Sequence, residues 1–323
     1  MSLLQPLVSI LIPCYNAERW VGQAIESALA QTWPNKEVIV VDDGSTDGSR
    51  ALIESFNGRI RYEFGPNRGG NAARNRLLEL ASGEWLQYLD ADDYLLTDKI
   101  TWQLDWLESD PMADIVYSPA LFEQWMDEFT PLPLQSFPLT EPHDPWLHLA
   151  RWRLPQTGGS LWRKSAIIKA GLWNVELTCC QEHNLYFELL KCGASFSHCP
   201  RSGAVYCYRI GNTVSRRDDQ LVAQQRLELL DKILDWILQK GLATPCRVHA
   251  VNVTRFEIAR SIWSNNPRLA DQTLKRIKSS ELKFTPEKPA ASIIYIIIYK
   301  LLGFRFAERI ATLFRYCRKY QIK

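Results

Sequence analysis

Across the first third of this chain, short apolar runs alternate with segments of helical spacing, and that alternation limits the fold more than any other feature. Val8-Ser9-Ile10-Leu11-Ile12 reads as a buried strand stopped by Pro13. A helical pattern follows from Ala17 to Ala30, with Val21, Ile25 and Ala28 on one face. Glu37-Val38-Ile39-Val40-Val41 is a second buried strand, ending at Asp42-Asp43-Gly44-Ser45. Asp47-Gly48-Ser49 can open the next helix, because a side-chain oxygen there accepts free amides. Ile60 to Phe64 fits a strand, Gly69 to Leu80 a helix, and Glu84 to Leu89 another strand. Strands separated by helices imply βαβ units, so the expectation is an α/β fold with a mostly parallel sheet flanked by helices. Ligands of such sheets bind beyond the carboxyl ends of the strands. Asn16, Asp42-Asp43 and Asp90-Asp92 each follow a strand and are therefore expected in one crevice.

The run Tyr88-Leu89-Asp90-Ala91-Asp92-Asp93 places three carboxylates after an apolar strand. Asp90 and Asp92 share a side of an extended segment. Packed carboxylates repel one another, and a hard divalent cation such as Mg²⁺ or Mn²⁺ makes them favourable while bridging to a substrate's phosphates. A solvated acidic turn, with Asp93 capping a helix, accounts for the same residues. The net charge of +2 predicts no general affinity for nucleic acid. The eight cysteines form no Cys-x-x-Cys pair, and Cys179 and Cys180 are adjacent, which suits neither a disulfide framework nor zinc. Free thiols in a reducing compartment are the simplest reading. The N-terminus lacks the basic start and long apolar region of a signal peptide, so a cytoplasmic location is expected.

Four motifs in order carry a resemblance: Ile12-Pro13-Cys14-Tyr15-Asn16; Val40-Val41-Asp42-Asp43-Gly44-Ser45-Thr46-Asp47; Asn67-Arg68-Gly69-Gly70-Asn71-Ala72-Ala73-Arg74-Asn75; and Leu89-Asp90-Ala91-Asp92-Asp93. Together they resemble the family 2 glycosyltransferases, densely from Val8 to about Asp93 and more thinly to about Ser215. The resemblance implies a GT-A fold, Rossmann-like in its sheet, and inversion at the transferred sugar. It implies a nucleoside-diphosphate sugar as donor, with uridine favoured, a hydroxyl acceptor, and Mn²⁺ or Mg²⁺ as cofactor. Tyr15 and Asp43 are then assigned to the base, with Pro13, Asn16, Asn67 and Arg74 also in the nucleotide site. Asp92 is the first choice for a direct metal ligand, and Asp90 binds the metal through water or holds the ribose. From the residues alone, Asp43 could equally serve turn chemistry before Gly44, and Arg74 could form a surface salt bridge. An arginine one turn into a helix can also meet a diphosphate or a base carbonyl.

Transfer to a hydroxyl needs a base to take its proton. The family places one in a Glu-Asp motif opening a helix, and the matching segment here is Cys179-Cys180-Gln181-Glu182-His183-Asn184-Leu185. Alignment puts Glu182 on the catalytic position, with Gln181 replacing the usual glutamate before it. His183 is the rival base because its neutral pKa range suits the task, and a structural charge at a helix start is the plain alternative for Glu182. Pro155 to Lys164 resembles the family's acceptor side, where Gly158 and Gly159 would permit close approach of a sugar. Of the crowded Trp146, Trp152, Trp162 and Trp173, at most one is assigned to the acceptor. Tyr208 to Arg217 resembles a loop closing over the diphosphate, with Arg209 as its phosphate contact.

From Asp218 the alternation stops, which divides the chain into a transferase domain, 1–217, and a helical extension, 218–323. Leu227, Leu230, Ile233, Leu234 and Ile237 recur at helical spacing between Gln220 and Gln239, and further helical patterns cover Val248 to Trp263 and Asn266 to Lys278. Residues 290–323 join an uncharged apolar stretch to a basic tail. It is short for a membrane span and fits a helix on an anionic membrane surface, or one docked on protein. Expected partners are therefore a nucleotide-sugar, a saccharide or lipid-linked saccharide acceptor, and a peripheral membrane contact. Polysaccharide, O-antigen or glycolipid synthesis is the expected setting. A non-catalytic nucleotide-sugar binder is the alternative function. A sugar-nucleotidyltransferase would need a glycine-rich loop where Pro13-Cys14-Tyr15-Asn16-Ala17 stands.

Overall fold

The computed structural model describes residues 5–125, 132–137, 139, 143–208 and 219–320. The first elements are β1 (Val8–Cys14), α1 (Val21–Leu29), β2 (Lys36–Asp42), α2 (Ser49–Glu54), β3 (Arg61–Phe64), α3 (Gly70–Leu80) and β4 (Trp85–Tyr88). Then come β5 (Tyr94–Leu95), α4 (Lys99–Trp106), β6 (Ile115–Tyr117), β7 (Ala120–Gln124), β8 (Gln135–Phe137), α5 (Pro145–Ala150), β9 (Ser160–Arg163), α6 (Lys164–Lys169), α7 (Gln181–Lys191), β10 (Phe196–His198) and β11 (Ala204–Tyr208). Helices α8 (Asp219–Gln239), α9 (Pro245–Ile262), α10 (Pro267–Ser280), α11 (Ile293–Leu302) and α12 (Phe304–Tyr320) complete the order.

The main sheet has seven strands in the order β10-β6-β9-β4-β1-β2-β3. Strands β4, β1, β2 and β3 are mutually parallel, as their buried runs predict. Ile10, Leu11, Ile12, Ile39, Val40 and Leu86 are fully buried, because helices cover both faces of a parallel sheet. Register sets Cys14 beside Asp42 and Leu11 beside Tyr88, so β1, β2 and β4 open their carboxyl ends along one edge. Strand β9 runs antiparallel between β4 and β6. Strands β5, β11, β7 and β8 form a second, four-stranded sheet.

The chain divides into two compact units: Met1–Pro145 with Arg153–Asn212, and Trp146–Trp152 with Thr213–Lys323. In the second unit, Leu227, Leu230, Ile233, Leu234 and Ile237 of α8 are all buried. The Thr244 side chain accepts the Arg247 amide to start α9, and Asn266 accepts the Leu269 amide to start α10. Thr254 of α9 donates to the Ala150 carbonyl at 2.7 Å, which ties the 146–152 segment to these helices.

Candidate active site

Three loops at the carboxyl edge of the sheet are built into one another. After β1, Asn16 takes a left-handed conformation (φ 49°), which asparagine tolerates better than most residues. Its side-chain oxygen accepts the Thr46 amide at 2.8 Å, and its own amide donates to Ser45 Oγ at 2.8 Å. The Ala17 amide donates to Ser49 Oγ, and the Glu18 amide to Asp47. After β2, Asp42 accepts both the amide and the hydroxyl of Ser45. Asp43 is buried, and its two carboxylate oxygens accept the amides of Arg68 and Gly69, each at 2.8 Å. Gly44 (φ 77°) is required where it stands, because an added Cβ would lie 2.6 Å from the Asn67 amide nitrogen. Tyr15 stays 49% exposed at this edge, and Asn67, packed against Gly44, is exposed as well. Pro13 pairs with Val41 within the sheet, one position before the edge.

The acidic run after β4 is divided among three surroundings. Asp90 accepts from Arg74 Nη2 at 2.8 Å. Asp92 is exposed. Asp93 is buried and accepts the Cys207 amide at 2.9 Å, which ties the run to β11. The three carboxylates therefore do not form one cluster, and Asp93 opens no helix; its neighbours enter the short strand β5. Among the described residues, no group of three or more histidine, cysteine, aspartate or glutamate side chains could hold a metal ion.

Arg74 is the hub of the site rather than a surface ion pair. Its side chain is 9% exposed, against 27% for Asp90. Nη1 donates to Gln181 Oε1 at 3.2 Å, and the guanidinium lies 4.9 Å from the Trp173 ring centre. Burial alone would lower its pKa, but the nearby charges of Asp90 and Glu182 hold it above the ordinary arginine value. Arg74 is therefore a permanent cation joining the end of β4 to the start of α7.

Helix α7 begins after Cys180, itself left-handed at φ 59°. Gln181 bridges, accepting from Arg74 and donating to the Leu177 carbonyl at 3.1 Å. Glu182 stands in the first turn, half-buried, and accepts from Thr157 Oγ1 at 3.2 Å. His183 follows it, also half-buried. Thr157, Asn71 and Asn75 are the supporting residues the sequence reading did not assign. Asn71 donates to the Asn174 carbonyl at 2.6 Å. Asn75 exchanges two hydrogen bonds with the Trp173 backbone. The signal was present in α3, where Asn71, Arg74 and Asn75 fall at i, i+3 and i+4 on one helix face.

One expectation about the acceptor side is corrected. Gly158 and Gly159 are buried, with carbonyls accepting from Gln87 and Gln103. A Cβ on Gly159 would come 3.0 Å from the Ser118 carbonyl, so the close approach these glycines allow is to the protein's own backbone. Trp162 and Trp173 are buried core rings, and Trp146 and Trp152 belong to the second compact unit. Cys14 lies at the same edge, but burial and then the Asp42 charge push its thiol up to about 12, so it stays protonated. The seven cysteines whose side chains are described are free thiols. Arg209 lies outside the described residues.

Comparison with known proteins agrees with this architecture. Residues 9–169 match the model of glycosyl transferase family 2. An uncharacterized glycosyltransferase of Haemophilus influenzae is 43% identical over 106 residues, 32% of this chain and 42% of that protein. Chondroitin synthase of Escherichia coli is 36% identical over 116 residues, 35% of this chain and 17% of that protein. The chain thus spans less than half the length of either relative. Among solved structures, S. aureus TarS 1–349 in complex with UDP-GlcNAc superposes with a TM-score of 0.67 at 15% identity, covering 96% of this chain and 91% of that one. The mannosyltransferase PcManGT from Pyrobaculum calidifontis, in complex with GDP-Man and Mn²⁺, gives a TM-score of 0.53 at 16% identity, covering 96% and 88%. These likenesses establish a GT-A fold. With the acidic strand ends on one edge and the family model matched across them, residues 9–169 form a glycosyltransferase family 2 domain.

Proposed function

We propose that this chain transfers a sugar, with inversion, from a UDP-sugar to a hydroxyl of a saccharide acceptor. One observation carries the reading: Arg74 joins Asp90, at the end of β4, to Gln181, the residue before Glu182. The donor end and the base end of a displacement reaction are thereby held by one rigid cation. Transfer resides in residues 1–217, and residues 218–323 extend that domain.

The donor's base lies on Tyr15, against the loop that Asp43 organises, with Pro13, Asn16 and Asn67 around it. The diphosphate extends toward Asp90 and Asp92. The residues fit a hard divalent cation, since exposed Asp92 offers oxygen donors and Asp90 commits Oδ1 to Arg74. Sites of one or two carboxylates, completed by substrate phosphates and water, are usual for Mg²⁺. Such a cation, when bound, neutralises charge on the departing diphosphate. PcManGT, a neighbour by fold, was solved with Mn²⁺. Glu182 takes the acceptor hydroxyl's proton as the oxygen attacks the anomeric carbon and the bond to the diphosphate breaks. The Thr157 hydroxyl orients the Glu182 carboxylate. Chondroitin synthase among the relatives supports a saccharide acceptor.

The test is UDP release from a panel of UDP-sugars with Mn²⁺ and saccharide acceptors, for wild type, Glu182→Gln and His183→Ala. Loss of the base lowers turnover by roughly 10²–10⁴-fold in Glu182→Gln, with UDP affinity unchanged. Normal transfer in Glu182→Gln and its collapse in His183→Ala would identify histidine as the base instead.

A further inference from the structure

Helices α11 and α12 present an apolar face that their own packing does not use. On α11, Ile293, Ile294, Ile297 and Leu301 lie at the i, i+1, i+4 and i+8 spacing that makes one stripe. All four are exposed, Leu301 by 76%. On α12, Phe306 and Leu313, seven residues apart, are exposed as well. The helices are anchored through their other faces. Tyr295, Tyr299 and Phe304 surround Phe256 of α9 at ring distances of 6.1, 5.5 and 5.7 Å. Glu308 is fully buried and pairs with Arg260 at 2.5 Å. The outward isoleucines and leucines are therefore surplus to folding, and a large contiguous apolar patch marks a docking surface.

Its charge identifies the occupant. Lys300 borders the α11 stripe, and Arg305 and Arg309 flank Phe306 on α12. Arg305 is paired with Asp271, which leaves Lys300 and Arg309 as the cations of this face among the described side chains. Glu308, the single acid from 293 onward, points inward, and the sequence adds Arg315, Arg318, Lys319 and Lys323. In a two-fold pairing a patch meets itself, so a second copy would press these cations together. No helix among the described residues is long and apolar enough to cross a membrane. We propose that the α11–α12 face lies on the surface of an anionic lipid bilayer, with the apolar stripe in the acyl boundary and the basic side chains at the headgroups.

The experiment is co-sedimentation of the full chain with vesicles of phosphatidylcholine alone or mixed with phosphatidylglycerol, at low and high salt. It needs no substrate, so its outcome is independent of the transfer reaction. Wild type should partition at least about tenfold better onto the anionic vesicles, and salt should erase the preference. A Lys300→Gln, Arg309→Gln variant should lose about fivefold per cation. An Ile297→Ser, Leu301→Ser variant should bind neither vesicle, with an unchanged circular dichroism spectrum. Equal partition onto both vesicles, or none by wild type, overturns the proposal. So does a wild-type dimer that Leu301→Glu converts to monomer, because a second copy then covers the face.

Discussion

Arg74→Met removes the guanidinium and keeps much of its aliphatic volume, so it isolates the hub of the site. The lost pair to Asp90 is 2.8 Å long, with one partner 9% exposed and the other 27%. Breaking a buried pair costs about 3–5 kcal/mol when the orphaned charge has no water. Asp90 retains some solvent, which places the effect near the lower end, about 3 kcal/mol. Loss of the guanidinium over Trp173 adds roughly 0.5–1 kcal/mol. Gln181 also loses its partner, so the first turn of α7 is no longer fixed to β4. A displacement of about 1 Å at a reacting group can lower turnover by about 10²-fold. Urea unfolding at neutral pH, with the m-value checked for constancy, reads the first quantity, and turnover under saturating donor reads the second. Arg74→Lys should fall between the two, since one ammonium cannot span Asp90 and Gln181. Stability within about 0.5 kcal/mol of wild type, together with full turnover, would refute the hub. Lost turnover at full stability would make Arg74 a substrate contact only.

Asp43→Ala should lower stability by about 2–3 kcal/mol as well as weaken UDP binding, because both oxygens of this buried carboxylate hold loop amides; an unchanged unfolding midpoint would contradict the structural half. Chelation should abolish UDP binding measured by calorimetry, yet leave the nucleotide-free midpoint unmoved, because Asp90 already has a cation in Arg74. Lys99 is buried against Gln87, and burial holds its pKa well below the ordinary lysine value. The unfolded chain then binds more protons at this group than the folded one, so the contribution of Lys99 to stability should rise with pH up to the unfolded lysine value of about 10.4, by at most ~1.4 kcal/mol per unit, while Cys14, held protonated by burial, contributes the opposite slope above the unfolded thiol value of about 8.5. Urea titrations should show stability changing more positively with pH in wild type than in Lys99→Met, and identical slopes in the two would refute the buried neutral lysine.

The parallel half of the sheet was legible because its strands are buried on both faces and read as unbroken apolar runs. Helix α1 begins at Val21 rather than Ala17, because the amides of residues 16–18 are spent on the loop after β2. Strand β5 has two residues and pairs Tyr94 with Val205, a contact no local period announces. The same limit explains Asp43. Position at a strand end marks a carboxylate as available, but whether its own loop consumes it depends on amides some 25 residues away.

The acidic run shows the same limit with a chemical consequence. Three neighbouring carboxylates suggest a cluster that needs a cation to exist. The fold gives Asp90 a guanidinium from α3 and Asp93 an amide from β11, and turns Asp92 outward. Repulsion within the run is thus relieved by the protein itself. On the proposed function, a divalent cation held by Asp92 would answer to the two phosphates of the donor rather than to the protein's own charge. Metal and nucleotide would then bind as one unit, and the positive charge that stabilises the leaving group would arrive with the substrate it acts on.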